Sequence, residues 1–515
     1  MFGGFFMFSS VNSVGIFGMH TFPVSIEADI SQGKFRFDIV GLPDTAVSES
    51  KERVRSAMRN SGYTFPYVHI TMNLAPADVK KEGPIYDLPI LIAILKSTGQ
   101  LEGDFSDCAF VGELSLGGEV RKINGVLPLT IEARKNGIKR FFVPAANASE
   151  GSVVEGIDVY PVSNVKQILD YFKNKCVIEK AEFPYSDLSD NLQTVPDFAD
   201  VKGQMQAKRA LEVAAAGGHN VMMVGPPGSG KSMLAKRIPG ILPDMTFEES
   251  LETTKVFSIA GLLNDKIPII KTRPFRSPHH SVSAAGLAGG GTVPKPGELS
   301  LSHNGVLFLD ELPEFSRSAM EVMRQPIEDG VITISRVAGA VTYPCSVMLV
   351  CAMNPCPCGF FGHPTKKCTC APGAVTRYMS KVSGPLIDRI DIHIEVPPVD
   401  FDELSDVQQG ESSAEIKKRV DKARDIQRER FKNDGISSNA KMTAEAVRKY
   451  CVMTDTASSM LKNAFDRLGL SARGYDKVLK VARTVADLDG SDIIDVKHIA
   501  EAIQYRSLDR KFWGN

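Results

Sequence analysis

One nineteen-residue stretch, NVMMVGPPGSGKSMLAKRI (residues 220–238), restricts the folds open to this chain more than any other. Val221 to Val224 are four consecutive apolar residues, the signature of a short buried strand. They run directly into Gly225, Pro226, Pro227, Gly228, Ser229, Gly230, Lys231 and Ser232, where a helical pattern begins. A strand, a glycine-rich turn and a helix in that order belong to a parallel α/β sheet. The turn lets backbone N–H groups approach an anion at the helix N-terminus, where the helix dipole favours negative charge. In this pattern Lys231 would reach the β- and γ-phosphates of ATP, and Ser232 would ligate Mg2+.

A second apolar run, Val306 to Leu309 in GVLFLDELPEF, closes on Asp310 and Glu311. A buried parallel strand delivers such carboxylates to the sheet edge where the phosphate loop lies. Asp310 is expected to hold the Mg2+, and Glu311 to act as general base on the attacking water.

The remaining organisation follows from pattern changes along 515 residues, too many for one ordinary core. Residues 1–172 alternate strand-like and helix-like segments, an α/β domain. Residues 173–197 are polar and acidic with two prolines, a linker. Residues 198–398 form the ATP-binding α/β core, and 399–515 carry only helical spacing, with Gly469 and Gly490 as stops. The expected class is therefore multidomain α/β with an all-helical C-terminal lid. A net charge of -1 argues against a basic protein that coats nucleic acid, although a local positive surface is compatible with it. Five of the nine cysteines are scattered singly, which suits a reducing compartment. The apolar N-terminus lacks a basic leader, and no run of about eighteen apolar residues follows. A cytoplasmic protein without a membrane segment is expected.

Together the motifs resemble the ComM/YifB family of magnesium-chelatase-like AAA+ ATPases over almost the whole chain. The stretches that carry the resemblance are DFADVKGQMQAKRALEVAAAGGHN (197–220), the phosphate loop, RPFRSPHHSVSAAGLAGGG (273–291), PGELSLSHNGVLFLDELPEF (296–315), CAMNPCPCG (351–359), GPLIDRIDIHIEVP (384–397) and LSARGYDKVLKVARTVADL (470–488). The resemblance implies that Asn354 is a sensor that orients the lytic water. It implies that Arg389 is an arginine finger acting on a neighbouring subunit's ATP, so that the active form is a ring, a hexamer. It also implies that Arg473 contacts the γ-phosphate from the helical lid.

The N-terminal domain resembles the Lon-type protease domain in NLAPADVKKEGPIYDLPI (73–90) and FVGELSLGGEVRKINGVLPLTIEARKNGIKRFFVPA (110–145). Where Lon carries its serine, this chain has Ile85. Its lysine aligns at or near Leu127 or Leu129. Neither half of that Ser/Lys dyad retains a nucleophile or a base.

Three further features bear on function. NPCPCGFFGHPTKKCTC (354–370) brings Cys356, Cys358, Cys368 and Cys370 into a polar insertion, 355–371, within the ATPase core. Two C-x-C pairs can converge on one ion, and four thiolates suit Zn2+. His363 is a substitute ligand, and transient disulfide pairing is the rival reading. Val331–Leu349 reads as a hairpin with Arg336 near its tip, positioned either to touch DNA or simply to buttress. Residues 417–432 hold eight basic side chains against three acidic, a DNA surface or, more in keeping with such spacing, a helix face laced with ion pairs. His279, His280 and His303 are expected to form hydrogen bonds rather than hold metal. The resemblance implies a DNA helicase or translocase that migrates recombination branches. A chelatase-type motor subunit that remodels a partner for metal insertion, and an ATP-dependent protease or unfoldase, are the alternatives.

Overall fold

A computed structural model describes residues 7–183, 195–264, 267–291, 294–336, 339–399, 410–468, 470–506 and 508. Residues 184–194 of the expected linker and the stop at Gly469 lie outside them. The chain divides into two compact units. The first takes in residues 1–191, 247–270 and 335–343, and the second 192–246, 271–334 and 344–515. Two excursions that a linear division assigns to the ATPase core thus belong to the first unit.

The first unit is built on a seven-stranded mixed sheet. Its strands are β1 (Met7–Phe17), β2 (His20–Ser31), β3 (Arg36–Val40), β4 (His69–Ala75), β5 (Cys108–Phe110), β6 (Arg140–Pro144) and β7 (Asp158–Val162), in the order β3-β4-β2-β1-β5-β6-β7. Strands β1 and β2 pair antiparallel from Met7↔Ile30 to Phe17↔His20. Helix α1 (Ser50–Asn60) buries Val54, Ala57 and Met58, one face of an amphipathic pattern. Helix α2 (Asp87–Ser97) is apolar nearly all round and correspondingly central. Its buried Asp87 is held by Arg53 Nε at 2.6 Å and by the Leu114 N–H at 3.1 Å, so the charge is not left unpaired. Ile85 is buried beside it, and Leu127 and Leu129 are buried on α3 (Val126–Lys135). The three positions where a Lon dyad would stand are packed hydrocarbon. Lys81 nearby donates to the backbone carbonyls of Pro76 and Val79.

The second unit begins with α4 (Met205–Gly217), β8 (Val221–Val224) and α5 (Lys231–Ala235). The chain then contributes α6 (Phe247–Ala260) to the first unit, where Ser258 donates to the buried carboxylate of Glu150 and accepts from the Gly125 N–H at 3.1 Å. It returns with β9 (Phe275–Arg276), β10 (Val306–Leu309) and α7 (Arg317–Asp329). A hairpin follows, β11 (Val331–Arg336) and β12 (Gly339–Pro344). Its residues 335–343 also belong to the first unit, where Val341 lies against Gly18 in the β1–β2 turn. Strands β13 (Met348–Met353) and β14 (Ile392–Glu395) complete a five-stranded parallel sheet ordered β9-β10-β13-β8-β14. All four residues of β8 and of β10, and all six of β13, are buried, as continuous apolar runs in a covered parallel sheet require.

Among the described residues the helices α8 (Ser413–Arg430), α9 (Ala444–Tyr450), α10 (Asp455–Leu468), α11 (Ala472–Leu488) and α12 (Val496–Gln504) follow. Ser412 and Glu415 form a capping box at the start of α8. Gly490 (φ +68) turns the chain just after α11. Ile416 and Val420 of α8, Val478 and Ala482 of α11 and the sheet residues Val221 and Ile392 belong to one buried cluster. The helical segment and the sheet therefore share a core. No helix among the described residues is long and apolar enough to cross a membrane.

Candidate active site

The phosphate loop joins β8 to α5. Gly225 is required by crowding: a Cβ there would stand 2.2 Å from the Val396 carbonyl oxygen, just beyond β14. Gly228 (φ +79) and Gly230 (φ +91) take left-handed backbone, which turns the loop back onto the N-terminus of α5. Lys231, buried, donates to the carbonyls of Gly225 at 2.7 Å and Pro226 at 2.9 Å, and lies 3.4 Å from Asn354 Oδ1. Burial lowers its pKa to about 8, against the opposing pull of Asp310 and Glu311.

Ser232 Oγ donates to Asp310 Oδ2 at 2.6 Å, so the two groups expected to hold Mg2+ meet at one point. Adjacent strands β8, β13 and β10 end together there and deliver the loop, Asn354 and Asp310-Glu311 to the same edge. The hydroxyl and carboxylate are the hard oxygen donors that Mg2+ takes, and the cationic Lys231 suits a polyphosphate. Glu311 is exposed, in left-handed backbone (φ +53), while its own N–H donates to Asp310 Oδ1 at 2.9 Å. Glu311 and Asn354 line one cavity of about 440 Å3 with Pro357, Arg377, Tyr378 and Lys381. The structure thus brings Lys231, Ser232, Asp310, Glu311 and Asn354 together at one edge of the sheet.

The two arginines expected to complete the site are elsewhere. Arg389 donates from Nε to the Arg324 carbonyl at 2.7 Å, from Nη1 to the Pro385 carbonyl at 2.7 Å and from Nη2 to Glu328 at 2.8 Å. It lines a cavity of about 300 Å3 shared with Arg473, Lys477 and Lys480. Arg473, on the first turn of α11, is exposed there. No residue of the phosphate loop lines that cavity. Arg473, expected to contact a γ-phosphate from the lid, thus lies with Arg389, and α11 presents Lys477 and Lys480 to the same cavity.

Below them lies a buried network. Lys477 Nζ is 3.0 Å from Asp391 Oδ1, and the Asn220 N–H donates to Asp391 Oδ2 at 3.0 Å. His219 Nδ1 lies 3.6 Å from the same carboxylate. Burial alone would raise the Asp391 pKa, but Lys477 and His219 outweigh it and hold the carboxyl well below its usual range.

Four cysteines of the insertion converge. The Sγ atoms of Cys356, Cys358, Cys368 and Cys370 all lie within 4.8 Å of one another, with Cys356 buried. All are free thiols, with Sγ separations of 3.3 Å (Cys356–Cys358), 3.6 Å (Cys358–Cys368) and 3.8 Å (Cys356–Cys368). Tetrahedral zinc thiolate sites have Zn–S near 2.3 Å and S···S of about 3.8 Å, so the residues fit that ion. His363 is not in the group: its Nδ1 accepts from the N–H groups of Thr365 and Lys366.

Some residues at the site escaped sequence reasoning. His280 Nδ1 stands 3.5 Å from Glu311 Oε2, because the edge strand β9 runs beside β10 and sets the following loop over Glu311. Gln204, in left-handed backbone (φ +56), donates to the Pro397 carbonyl at 2.6 Å and approaches the Ser229 carbonyl at 3.4 Å, bracing the loop. His279 bonds Ser281 and His303 accepts from the Ser346 N–H at 3.0 Å, the hydrogen-bonding roles expected of them. Arg336 ends β11, and the turn 337–338 lies outside the described residues. Several cations of α8 are engaged within the unit, Lys417 with Asp244 at 2.6 Å, Arg419 with Glu212 at 2.5 Å and Arg430 with Asp487. That helix is laced with ion pairs, and Lys418 and Lys422 are exposed on it.

Comparisons with known proteins agree with this geometry. Residues 197–404 match the family model described as magnesium chelatase, subunit ChlI; residues 26–147 match subunit ChlI of Mg-chelatase, and 410–506 match the ChlI C-terminal model. The chain is 43% identical over 504 residues to the uncharacterized protein YifB of Escherichia coli K12, covering 98% of this chain and 97% of that one. It is 41% identical over 493 residues to the competence protein ComM of Haemophilus influenzae, covering 95% of each. A partial match, 28% identical over 157 residues, is to Lon protease 1 of Hydrogenovibrio crunogenus, covering 28% of this chain and 19% of that one.

Proposed function

Because the chain belongs to the YifB/ComM family of magnesium-chelatase-like AAA+ ATPases, we propose that it is an ATP-driven motor that acts on DNA, a helicase or translocase promoting branch migration of recombination intermediates. The observation that carries the reading is the hydrolytic set Lys231, Ser232, Asp310, Glu311 and Asn354, in a chain that aligns over 95% of its length with a competence protein. Lys231 and the loop N–H groups bind the phosphates, while Ser232 and Asp310 would hold a Mg2+ that would supply neutralising charge to the phosphates. Glu311 takes the proton of the attacking water, positioned by Asn354, as the bond from the γ-phosphorus to its bridging oxygen breaks. Arg389 and Arg473 form one cationic patch that would meet the nucleotide of a second copy in a homo-oligomeric ring, a hexamer. Arg336 at the hairpin is the side chain proposed to touch DNA. Cys356, Cys358, Cys368 and Cys370 hold a structural Zn2+.

The three chelatase family models favour a second reading, a motor subunit that remodels a protein for metal insertion. Proteolysis is disfavoured by the buried Ile85, Leu127 and Leu129. A three- or four-strand DNA substrate separates the readings. The purified protein is expected to hydrolyse ATP with Mg2+, faster with branched DNA, and to move the branch point only with ATP. Glu311→Gln should bind ATP yet turn over at least about a hundredfold more slowly. ATP hydrolysis indifferent to DNA, with no branch movement, would reject the DNA motor in favour of a protein-remodelling role.

A further inference from the structure

The first cysteine of the insertion, Cys356, stands two residues beyond Asn354, and the insertion returns to the phosphate loop in space. Cys356 Sγ accepts from the Phe361 N–H at 3.3 Å, and the Gly359 N–H donates to the Cys356 carbonyl at 2.9 Å, closing a tight turn over residues 356–359. Gly359 (φ +82) rests on the phosphate loop. A Cβ there would stand 2.4 Å from Pro227 Cδ and 2.7 Å from Pro227 Cγ. The same turn sends Pro357 into the cavity lined by Glu311 and Asn354. The turn therefore has a thiol at each side, Cys356 and Cys358, with Pro227 beneath it and the hydrolytic cavity beside it.

We propose that the four-thiolate site is a metal-dependent brace for the phosphate loop: a Zn2+ held by Cys356, Cys358, Cys368 and Cys370 fixes the turn that seats Gly359 on Pro227, and thereby sets the affinity for ATP. This rests on the zinc reading given above. Without an ion, four thiols have no strong mutual attraction, and the two C-x-C arms are joined only by their nine intervening residues. With it, the arms are tied at one point, and the turn can move only with the whole insertion. Pro227 has no backbone N–H for phosphate, so its part in the loop is steric. Whatever presses on it sets the path of the N–H groups that follow, at Gly228, Ser229 and Gly230.

The test is binding of a fluorescent ATP analogue, with Mg2+, by the full-length protein, read beside its zinc content. As purified, about one zinc per chain is expected. Stripping with a chelator should weaken nucleotide binding about tenfold or more, and added ZnCl2 should restore it. Gly359→Val is expected to keep its zinc and still bind the analogue about tenfold more weakly, because the added side chain displaces Pro227. This arm removes no metal, so it decides the matter even if the stripped protein or Cys368→Ser unfolds on circular dichroism. Stripped protein that stays folded and binds within twofold of the original, or Gly359→Val that binds normally, would overturn the brace and leave the zinc site standing. Less than half an equivalent of zinc, with none taken up from ZnCl2, would overturn the site and the brace with it.

Discussion

At the scale of single residues, Lys231 ties nucleotide binding to pH. Burial lowers its pKa to about 8, while Asp310 and Glu311 oppose the shift. Phosphate oxygens interact with the ammonium form, so binding draws on the protonated fraction of the free protein. That fraction is about one half at pH 8 and roughly a tenth at pH 9. The dissociation constant for ATP is therefore expected to be flat below pH 7 and to rise about tenfold by pH 9, with proton uptake on binding near pH 8. Titration calorimetry in buffers of different ionisation enthalpy measures both, and Lys231→Met should bind weakly with no such slope. An affinity unchanged up to pH 9.5 would show that Lys231 titrates as an ordinary surface lysine. The identity of this residue was legible at once, because a strand, a glycine loop and a helix appear in consecutive residues. His280 was not legible: 31 positions separate it from Glu311, and only the pairing of β9 with β10 brings the two together.

At the scale of elements, α11 joins the helical segment to the end of the sheet. Arg473, Lys477 and Lys480 recur at helical spacing and line the cavity with Arg389, two residues before Asp391. The 3.0 Å pair of Lys477 with Asp391 is mostly removed from water, so deleting one partner leaves a buried charge. Lys477→Met is expected to destabilise the protein by about 3 kcal/mol in urea unfolding. Asp391→Asn combined with Lys477→Met should cost less than the sum of the two single changes, which reports their coupling. Strict additivity would mean that the contact contributes nothing. Sequence patterns foretold these helices and the apolar strands, since periodicity is a local property. They did not foretell where residues 247–270 and 335–343 go. Both segments have ordinary helical or strand patterning, and their partners, Gly125, Glu150 and Gly18 among them, lie more than a hundred residues away. Convergence of the four cysteines was legible as a possibility from two C-x-C pairs. Contact of Gly359 with Pro227 was not, because nothing in either segment encodes the other.

At the scale of the whole molecule, the open question is how one chain's ATP site is completed. The hydrolytic set and the Arg389–Arg473 cavity share no lining residue. In a closed ring, each copy would then supply its loop to one interface and its arginines to the other, a heterologous arrangement that closes on itself. Mixing variants tests this directly. Arg389→Ala and Glu311→Gln should each be nearly inactive alone. In a random equal mixture, about a quarter of interfaces join an intact Glu311 to an intact Arg389. ATPase activity should therefore return to about a quarter of the unmixed wild type where sites fire independently, and to less where the ring fires in concert. Arg473→Ala separates two possibilities that Arg389→Ala cannot. If Arg473 served its own chain's nucleotide, every Arg473→Ala copy would carry a defective site and every Glu311→Gln copy another, so no mixture would recover. Because Arg473 shares its cavity with Arg389 and with no part of the phosphate loop, the Arg473→Ala mixture with Glu311→Gln is expected to recover as the Arg389→Ala mixture does. Recovery in the Arg389 mixture alone would assign Arg473 to its own chain's site, reached by a movement of α11. Recovery in neither would remove the shared site altogether.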